Sequence, residues 1–276
     1  MAEERTGQPS AAEIFASNHM RLKQCRYGAM LYNINDLYIG RSLDLYGEFS
    51  EGEAALFRQL IKPGMVVCDI GANIGCHTVF MADAVGPKGL VIAFEPQRIV
   101  FQTLCANIAL NGHANVRTFQ AALGTEPGEI VIPPIRYDQE GNFGGVALGS
   151  YENGEKVPVM TLDALPFGSC HFVKIDVEGM ERAVLEGGTE TIKKFQPAMY
   201  IENDRRDQAP ALIEHLFSLE YRLYWHHPPL FNTANFFGND KNVFGNIISR
   251  NMLCLPKGSR LKIESMAEIT DPSIKF

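Results

Sequence analysis

The sequence predicts an α/β fold with a largely parallel β-sheet covered by helices on both faces. From Met65 onward, short apolar runs alternate with segments in which apolar residues recur at helical spacing. Strands that are separated by helices are joined by crossovers, which make neighbouring strands parallel. The 276 residues, of which 46% are hydrophobic, suffice for a sizeable core. That length is compatible with one large domain or with two small ones.

The predicted strands are short apolar runs, most of which end at a glycine, a proline or a polar residue. They span residues 65–70, 89–96, 116–124, 172–179, 198–203, 221–227 and 245–256. The predicted helices span residues 74–85, 100–112, 181–195 and 208–219. Because no clear helix separates the last two strands, we expect the final strand to run antiparallel.

Three segments flank or interrupt this pattern. Residues 1–50 form a predicted N-terminal extension, in which residues 30–48 are predicted as short hairpin strands that can cover the site as a lid. Residues 136–158 are rich in glycine, asparagine and acids, which predicts a mobile insertion. The main domain is predicted at residues 51–260, and a C-terminal tail follows at residues 261–276.

Ser50 and Glu53 have the spacing of a capping box at the start of a helix. Capping the helix is therefore the expected role of Glu53, in preference to contact with a ligand.

Composition and charge exclude several classes of protein. No apolar run approaches the length of a membrane span, and the first fifteen residues are acidic and polar rather than typical of a signal peptide. Six cysteines are scattered without a C-x-x-C pair, which favours buried thiols in a reducing, cytoplasmic setting. The formal charge of −7 and the lack of a basic cluster argue against a nucleic-acid partner.

The stretch "VVCDIGANIGCHTVFMA" at residues 66–82 places a glycine-containing loop between a buried strand and a helix. In open α/β sheets, ligands bind at such a turn, beyond the carboxyl ends of the strands. The loop has two glycines four positions apart with Asn73 between them, which does not match the dinucleotide fingerprint G-x-G-x-x-G, and no G-K-[ST] follows as in a P-loop. Phosphate-binding loops are therefore disfavoured, and a sulfonium nucleoside, S-adenosylmethionine (SAM), fits better.

Two acids end the first two strands of the predicted sheet. Asp69 is placed to hold the ammonium group of SAM directly or through water, while loop N–H groups meet its carboxylate. Glu95, twenty positions after Gly75, is placed to accept both ribose hydroxyls. Proteins that bind NAD also use an acid to bind the ribose, so Glu95 alone does not distinguish NAD from SAM. The sequence of the glycine loop makes this distinction. Each acid can instead cap the next helix.

The segments "DIGANIGCHT", "FEP", "KIDVEGMERAVLEGG" and "YIEN" resemble the FkbM-type branch of the class I SAM-dependent methyltransferases. The similarity runs from about Tyr46 to Leu255. It implies a Rossmann-like sheet of seven strands, mostly parallel with the last one antiparallel, and methylation of hydroxyl oxygens, often on sugars or secondary metabolites. Position 76, often aromatic in this branch, is Cys76 here.

The resemblance places SAM contacts at Asp69, Gly71, Asn73, Gly75 and Glu95. His77 and Thr78 follow the loop at the start of the helix, where contact with the cofactor and packing of the helix are both plausible roles. The complete predicted cofactor set is Asp69, Gly71, Asn73, Gly75, His77, Thr78, Glu95, Pro96, Gln120, Ala121 and Asp176.

Polar residues at the ends of later strands are candidates for removing a proton from the acceptor. The predicted catalytic residues are Asp176, Glu178, Glu202 and His226, although Glu178 can also cap a helix. A second interpretation of the same region is a Mg²⁺ site formed by Asp176, Glu202 and Asn203, which is not favoured because the family resemblance does not require a metal.

Residues 225–246 combine aromatic and asparagine side chains, which suits a sugar with apolar faces and hydroxyl edges. Trp225, Phe231, Phe236 and Phe237 are the predicted apolar contacts of this acceptor, unless they only pack within their own loop. The predicted function is therefore O-methylation of a hydroxyl on a sugar, a glycan or a glycosylated secondary metabolite. The alternatives are an N-methyltransferase and a catalytically inactive SAM-binding domain.

Overall fold

The computed structural model describes residues 13–147, 151–166 and 168–273. The strands are β1 (Glu13–Ser17), β2 (Met20–Cys25), β3 (Gly28–Asn33), β4 (Val66–Ile70), β5 (Leu90–Phe94), β6 (Val116–Phe119), β7 (Ala122–Leu123), β8 (Gly128–Ile132), β9 (Glu155–Met160), β10 (Phe172–Ile175), β11 (Ala198–Glu202), β12 (Tyr221–His226), β13 (Asn251–Pro256) and β14 (Glu268–Ile269). The helices are α1 (Ile39–Tyr46), α2 (Glu51–Leu60), α3 (Cys76–Val85), α4 (Arg98–Leu110), α5 (Glu181–Glu186), α6 (Thr189–Phe195) and α7 (Ala209–Ser218).

Eight strands form the main sheet in the order β14-β12-β13-β11-β10-β4-β5-β6. Strands β6, β5, β4, β10 and β11 pair in parallel, whereas β13 runs antiparallel to both β11 and β12. The α/β fold and its antiparallel final strand are thereby confirmed. The strand order reverses between β4 and β10, and this point is where the fold is expected to bind a ligand.

Helices cover both faces of the sheet, which explains why β4 is apolar except for Asp69. Successive side chains of a strand point to opposite faces. Val67 belongs to the core cluster that contains Phe57 of α2, and Cys68 belongs to the cluster that contains Leu212 of α7. Both side chains are fully buried, so neither face tolerates a polar residue at these positions.

The N-terminal strands form a separate antiparallel sheet, β1-β2-β3, which is fastened to α4. The side chain of Asn107 accepts the N–H of Leu31 at 2.7 Å and donates to its carbonyl at 3.0 Å, and Asn111 makes the same two contacts with Ala29. The prediction of strands throughout residues 30–48 is wrong for α1. The Oδ1 atom of Asp36 accepts the N–H groups at the start of that helix and thereby favours helix over strand.

Several further boundaries differ from the predictions; the last predicted strand, for example, begins only at Asn251. The strand predicted at 116–124 divides into β6 and β7, which belong to different sheets. The helix predicted at 181–195 divides at Gly187, whose backbone lies so close to Gly124 that an added Cβ would sit 2.0 Å from the carbonyl oxygen. Within the segment predicted as a mobile insertion, residues 155–158 belong to β9; residues 148–150 lie outside the described structure.

The strand β14 pairs with β12, and thus residues 268–269 extend the main sheet into the segment predicted as a tail. The domain boundaries and the closing of a lid stay predictions. All six cysteines, each within the described structure, are free thiols. Across the described ranges, we find no helix that combines the length and the apolar character needed to cross a membrane.

Candidate functional site

A cavity of about 460 Å³ opens beyond the carboxyl ends of β4, β5, β10 and β11, at the point where the strand order reverses. The glycine loop, Glu95 and the acids that follow β10 and β11 line it. A second cavity of about 520 Å³ lies between α5 and α7, and its lining does not include the glycine loop. The first cavity is the candidate site, since it holds the residues that the motif analysis singled out.

The glycine loop turns tightly because three of its residues adopt positive φ angles. Gly71 has φ +79°, Asn73 has +51° and Gly75 has +91°. A Cβ on Gly71 would lie 1.7 Å from the carbonyl oxygen of Asp176, so a side chain is excluded there. Gly71 and Asn73 are on the cavity wall, while Gly75 lies behind it against Leu104.

The amides of this loop are already bonded within the protein. The N–H groups of Gly71 and Ala72 donate to the carbonyl of Phe94, and that of Gly75 donates to the carbonyl of Ala72. The N–H of Asn73 donates to Glu95. The expectation that these loop amides hold the carboxylate of SAM is therefore not supported by their geometry.

Glu95 is buried on the cavity wall and accepts two backbone hydrogen bonds. Its Oε2 accepts the N–H of Asn73 at 3.0 Å, and its Oε1 accepts the N–H of Gln97 at 2.8 Å. Burial raises the pKa of Glu95 to about 7, although both hydrogen bonds oppose this shift. The carboxyl group thus faces the cavity and also binds the backbone of Gln97, the residue that precedes α4.

Asp69 lies beneath the cavity and not on its wall. It is fully buried, accepts the hydroxyl of Thr78 at 2.7 Å and lies 3.5 Å from the Nζ atom of Lys174. Direct contact between Asp69 and a bound ammonium group does not match this placement. Thr78 likewise points to Asp69, away from the cavity wall.

Lys174 is a site residue that none of the sequence motifs indicated. A lysine is nevertheless unusual within the apolar strand "FVKI". Its Nζ donates to the carbonyl of Gly71 at 3.2 Å and lies 3.2 Å from Asp176 Oδ2. Burial lowers the pKa of Lys174, but the neighbouring carboxylates outweigh this effect and raise it overall. The side chain therefore carries a positive charge under the floor of the cavity.

Three acids lie together at the carboxyl ends of β10 and β11. Asp176, Glu178 and Glu202 each present an oxygen within 4.8 Å of the others. Glu178, at φ +55°, accepts a hydrogen bond from Arg205 Nη2 at 2.8 Å. Burial, followed by repulsion from Asp176, raises the pKa of Glu178 to about 7.

The Oε2 atom of Glu202 is buried and has no hydrogen-bond partner within the described part of the chain. Burial and repulsion from Asp176 and Glu178 raise the pKa of Glu202 well above its usual range. Asn203, the amide considered for a Mg²⁺ site, instead donates to Met252 Sδ at 3.2 Å. A hard cation here would use Glu178 in place of Asn203.

His226, one of the predicted catalytic residues, lies outside the cavity wall. Its Nδ1 atom lies 2.7 Å from the hydroxyl of Tyr200, and burial lowers its pKa. Pro96, Gln120 and Ala121 also lie outside the wall. The side chain of Gln120 donates to Glu155 at 3.3 Å.

The four aromatic residues predicted to bind the acceptor do not line the cavity either. Phe231, for example, packs edge-on against Tyr46, with ring centroids 5.2 Å apart. The cavity wall on this side consists of Leu230 and residues 247–251. The N-terminal segment contributes Tyr38, Ile39 and Phe49, and the segment after β8 contributes Asn142, Gly144 and Gly145.

The capping-box prediction for Ser50 and Glu53 is wrong. Ser50 has φ +48° and makes no side-chain hydrogen bond to the described residues of α2. Glu53 points into the cavity wall, where its Oε1 accepts a hydrogen bond from Asn251 at 2.9 Å. Its Oε2 lies 3.0 Å from Nε2 of His77, which is also on the wall.

The family model described as "Methyltransferase FkbM domain" matches residues 69–223, more than half of the chain. A comparison with curated proteins finds no significant match. Among solved structures, the methyltransferase FkbM from Methylobacillus flagellatus KT is 16% identical, with a TM-score of 0.48. That alignment covers 73% of this chain and 50% of the other, so this chain spans half the length of that protein.

Two other solved structures resemble the chain at similar levels. The O-methyltransferase TomG from Streptomyces achromogenes, in complex with SAM, is 13% identical, with a TM-score of 0.45 and coverage of 76% of this chain and 79% of that chain. A putative rRNA methylase from Clostridium thermocellum is 12% identical, with a TM-score of 0.44 and coverage of 76% and 98%.

The strand order, the reversed final strand and the cavity at the switch point define an α/β protein with the class I methyltransferase fold. The chain belongs to the family of the methyltransferase FkbM domain. The predicted family is thereby confirmed.

Proposed function

We propose that the protein is a SAM-dependent O-methyltransferase that acts on a hydroxyl of a sugar, a glycan or a glycosylated secondary metabolite. One observation carries this proposal: the glycine loop, Glu95 and Glu202 line a single cavity, and one carboxyl oxygen of Glu202 has no hydrogen-bond partner among the described residues. The glycine loop and Glu95 are suited to bind a nucleoside, and Glu202 is suited to accept a proton beside it.

The nucleoside of the donor is held at the carboxyl ends of β4 and β5. Glu95 accepts the ribose hydroxyls with the lone pairs that its two backbone hydrogen bonds leave free. Gly71, without a Cβ, lets the ligand approach the backbone closely. Asp176, whose side chain is 41% exposed, completes the wall next to the sulfonium and matches its positive charge.

Methyl transfer is an in-line displacement in which the acceptor oxygen attacks the methyl carbon and the carbon–sulfur bond breaks. The sulfonium becomes a neutral thioether, and the hydroxyl proton passes to a base. Glu202 in its ionised form is that base, since it lines the cavity and its Oε2 lacks a hydrogen-bond partner within the described structure. Burial, followed by the charges of Asp176 and Glu178, raises the pKa of Glu202, which makes the ionised carboxylate a stronger base.

The remaining wall has the mixed character of a sugar site. Tyr38, Phe49 and Ile248 present apolar surface, and Asn142 and Ser249 present hydrogen-bonding groups. A sugar has both C–H faces and hydroxyl edges, so it matches both kinds of surface.

Calorimetry with SAM and with NAD tests the cofactor, and methyl transfer to a panel of sugars and glycosides tests the acceptor. We expect binding of SAM, no binding of NAD and transfer to a hydroxyl. In the isosteric variant Glu202→Gln, binding of SAM is retained and transfer falls by a factor of about 100 or more. Tight binding of NAD without binding of SAM would overturn the proposal.

A further inference from the structure

Glu53 and His77 form a buried polar pair on the cavity wall that the proposed chemistry does not use. Glu53 is 6% exposed and comes from α2, whereas His77 is 7% exposed and comes from the first turn of α3. Glu53 and its partner Asn251 both lie outside the matched family segment, 69–223. The helices α2 and α3, which precede and follow β4 in the chain, therefore bring this pair to the cavity.

The first turn of α3 has hydrogen-bond donors that the helix itself does not use. The first amides of a helix have no partner within it, and among the described residues no side chain caps this helix. The Nε2 atom of His77 is buried and has no hydrogen bond of acceptable geometry within the described structure, although it lies 3.0 Å from Glu53. An uncapped helix start beside a buried imidazole nitrogen that lacks a hydrogen bond is suited to a carboxylate.

Glu53 is suited to a cation. Burial raises the pKa of its carboxyl group, but the contact with His77 and the charge of Lys174 outweigh burial and lower the pKa overall. The group is therefore ionised at neutral pH. Asp69, by contrast, lies beneath the wall, where Lys174 and Thr78 already contact it.

We infer that this pair, which we call the zwitterion clamp, binds the amino-acid end of the methyl donor. Glu53 holds the α-ammonium group, while His77 and the first amides of α3 hold the α-carboxylate. The inference rests on the proposed function and adds a role for a residue from outside the family segment. Ammonium recognition then depends on α2 and β13 rather than on the acid that ends β4.

Three ligands distinguish recognition of the amino-acid end by the zwitterion clamp from a general effect of the substitution on the cavity. S-adenosylhomocysteine carries the complete amino-acid end, its des-amino analogue lacks only the ammonium, and 5′-methylthioadenosine lacks both charged groups. In the wild-type protein, calorimetry should show the full ligand binding more tightly than the des-amino analogue by a factor of 10 to 100. In Glu53→Gln, the two should bind within a factor of about three, and 5′-methylthioadenosine should bind as in the wild type.

Glu51→Gln is the matched control, since Glu51 lies two residues earlier on α2 and outside the cavity wall. It should leave all three affinities unchanged. An equal loss of all three ligands in Glu53→Gln would assign Glu53 a structural role and overturn the inference. A full preference for the ammonium-bearing ligand in that variant would overturn it as well. If the wild-type protein binds none of the three ligands, the proposed function itself fails.

Discussion

Glu95 illustrates how one side chain serves both the fold and the site. Its two oxygens accept backbone hydrogen bonds from the glycine loop and from the start of α4. Truncation to alanine would leave the N–H groups of Asn73 and Gln97 without these partners. A Glu95 substitution must therefore be interpreted by stability as well as by affinity.

We expect Glu95→Ala to weaken SAM binding by about 1–3 kcal/mol through lost ribose hydrogen bonds, and to lower the free energy of unfolding by a similar amount. Glu95→Gln retains one acceptor oxygen and should lose less stability. Calorimetry and urea unfolding on both variants measure the two effects separately. An unchanged affinity in the alanine variant would remove Glu95 from the donor site.

The same residue predicts a pH dependence of stability. Burial raises the pKa of Glu95 from its usual 4.5 to about 7, so that between these values the folded state binds more protons than the unfolded state. The free energy of unfolding therefore falls as the pH rises from 4.5 to 7, by an amount on the order of 3 kcal/mol from this group. Below pH 4.5 this loss in the free energy of unfolding is absent, and above pH 7 it is complete.

Urea unfolding of the ligand-free protein between pH 4.5 and 8 measures this dependence. Glu178 adds to it with the same sign, because its pKa is also raised to about 7. Glu95→Gln should therefore reduce the slope without abolishing it. A slope identical to that of the wild type would contradict the role of Glu95.

At the scale of elements, the turn from β4 to α3 depends on close contact between two backbones. Gly71 has φ +79° and abuts the carbonyl of Asp176, whereas Gly64 has a similar φ of +84° with no atom within 4 Å of an added Cβ in the described structure. Substitutions at these two glycines therefore distinguish the energetic cost of the left-handed backbone conformation from the cost of the steric contact.

Gly64→Ala should lower the free energy of unfolding by about 1–2 kcal/mol through its left-handed conformation alone. Gly71→Ala should cost about 1–3 kcal/mol more, because β4 and β10 must separate to admit the methyl group, and it should abolish SAM binding. Chemical unfolding and calorimetry on the two variants make the comparison. Equal losses of stability would show that the contact with Asp176 is unimportant.

The elements also show which features a sequence reveals. The strand β4, the glycine loop and Glu95 follow one another within thirty residues, and buried strands and tight turns have strong local patterns. Glu53 and Asn251 meet across 198 positions, and their contact depends on how α2 packs against the sheet. Local spacing instead suggested a capping box, which the positive φ of Ser50 excludes.

The aromatic residues predicted to contact the acceptor lie away from the cavity for a related reason. Composition alone indicated a site within residues 225–246, but it does not tell which faces of a loop are turned inward. The structure packs Phe231 against Tyr46 and turns residues 247–251 to the cavity instead. Lys174 was missed because a buried charge becomes interpretable only once its partners, Asp69 and Asp176, are located.

At the scale of the whole molecule, the segments that flank the family domain complete both the cavity and the sheet. Ile269 of β14 is 2% exposed and belongs to the same core cluster as Leu223 of β12. Leu261, which lies in the same C-terminal segment, is 49% exposed. The segment therefore contains one residue that holds the sheet and one that does not.

We expect Ile269→Ala to lower the free energy of unfolding by about 2–5 kcal/mol, as for other buried aliphatic side chains. Leu261→Ala should change it by less than about 0.5 kcal/mol. Removal of residues 261–276 should cost at least as much as Ile269→Ala, because it also exposes the edge of β12 to solvent. Urea unfolding of the three variants measures these differences. A truncated protein as stable as the wild type would show that residues 261–276 are a dispensable tail, and that the sheet is complete with seven strands.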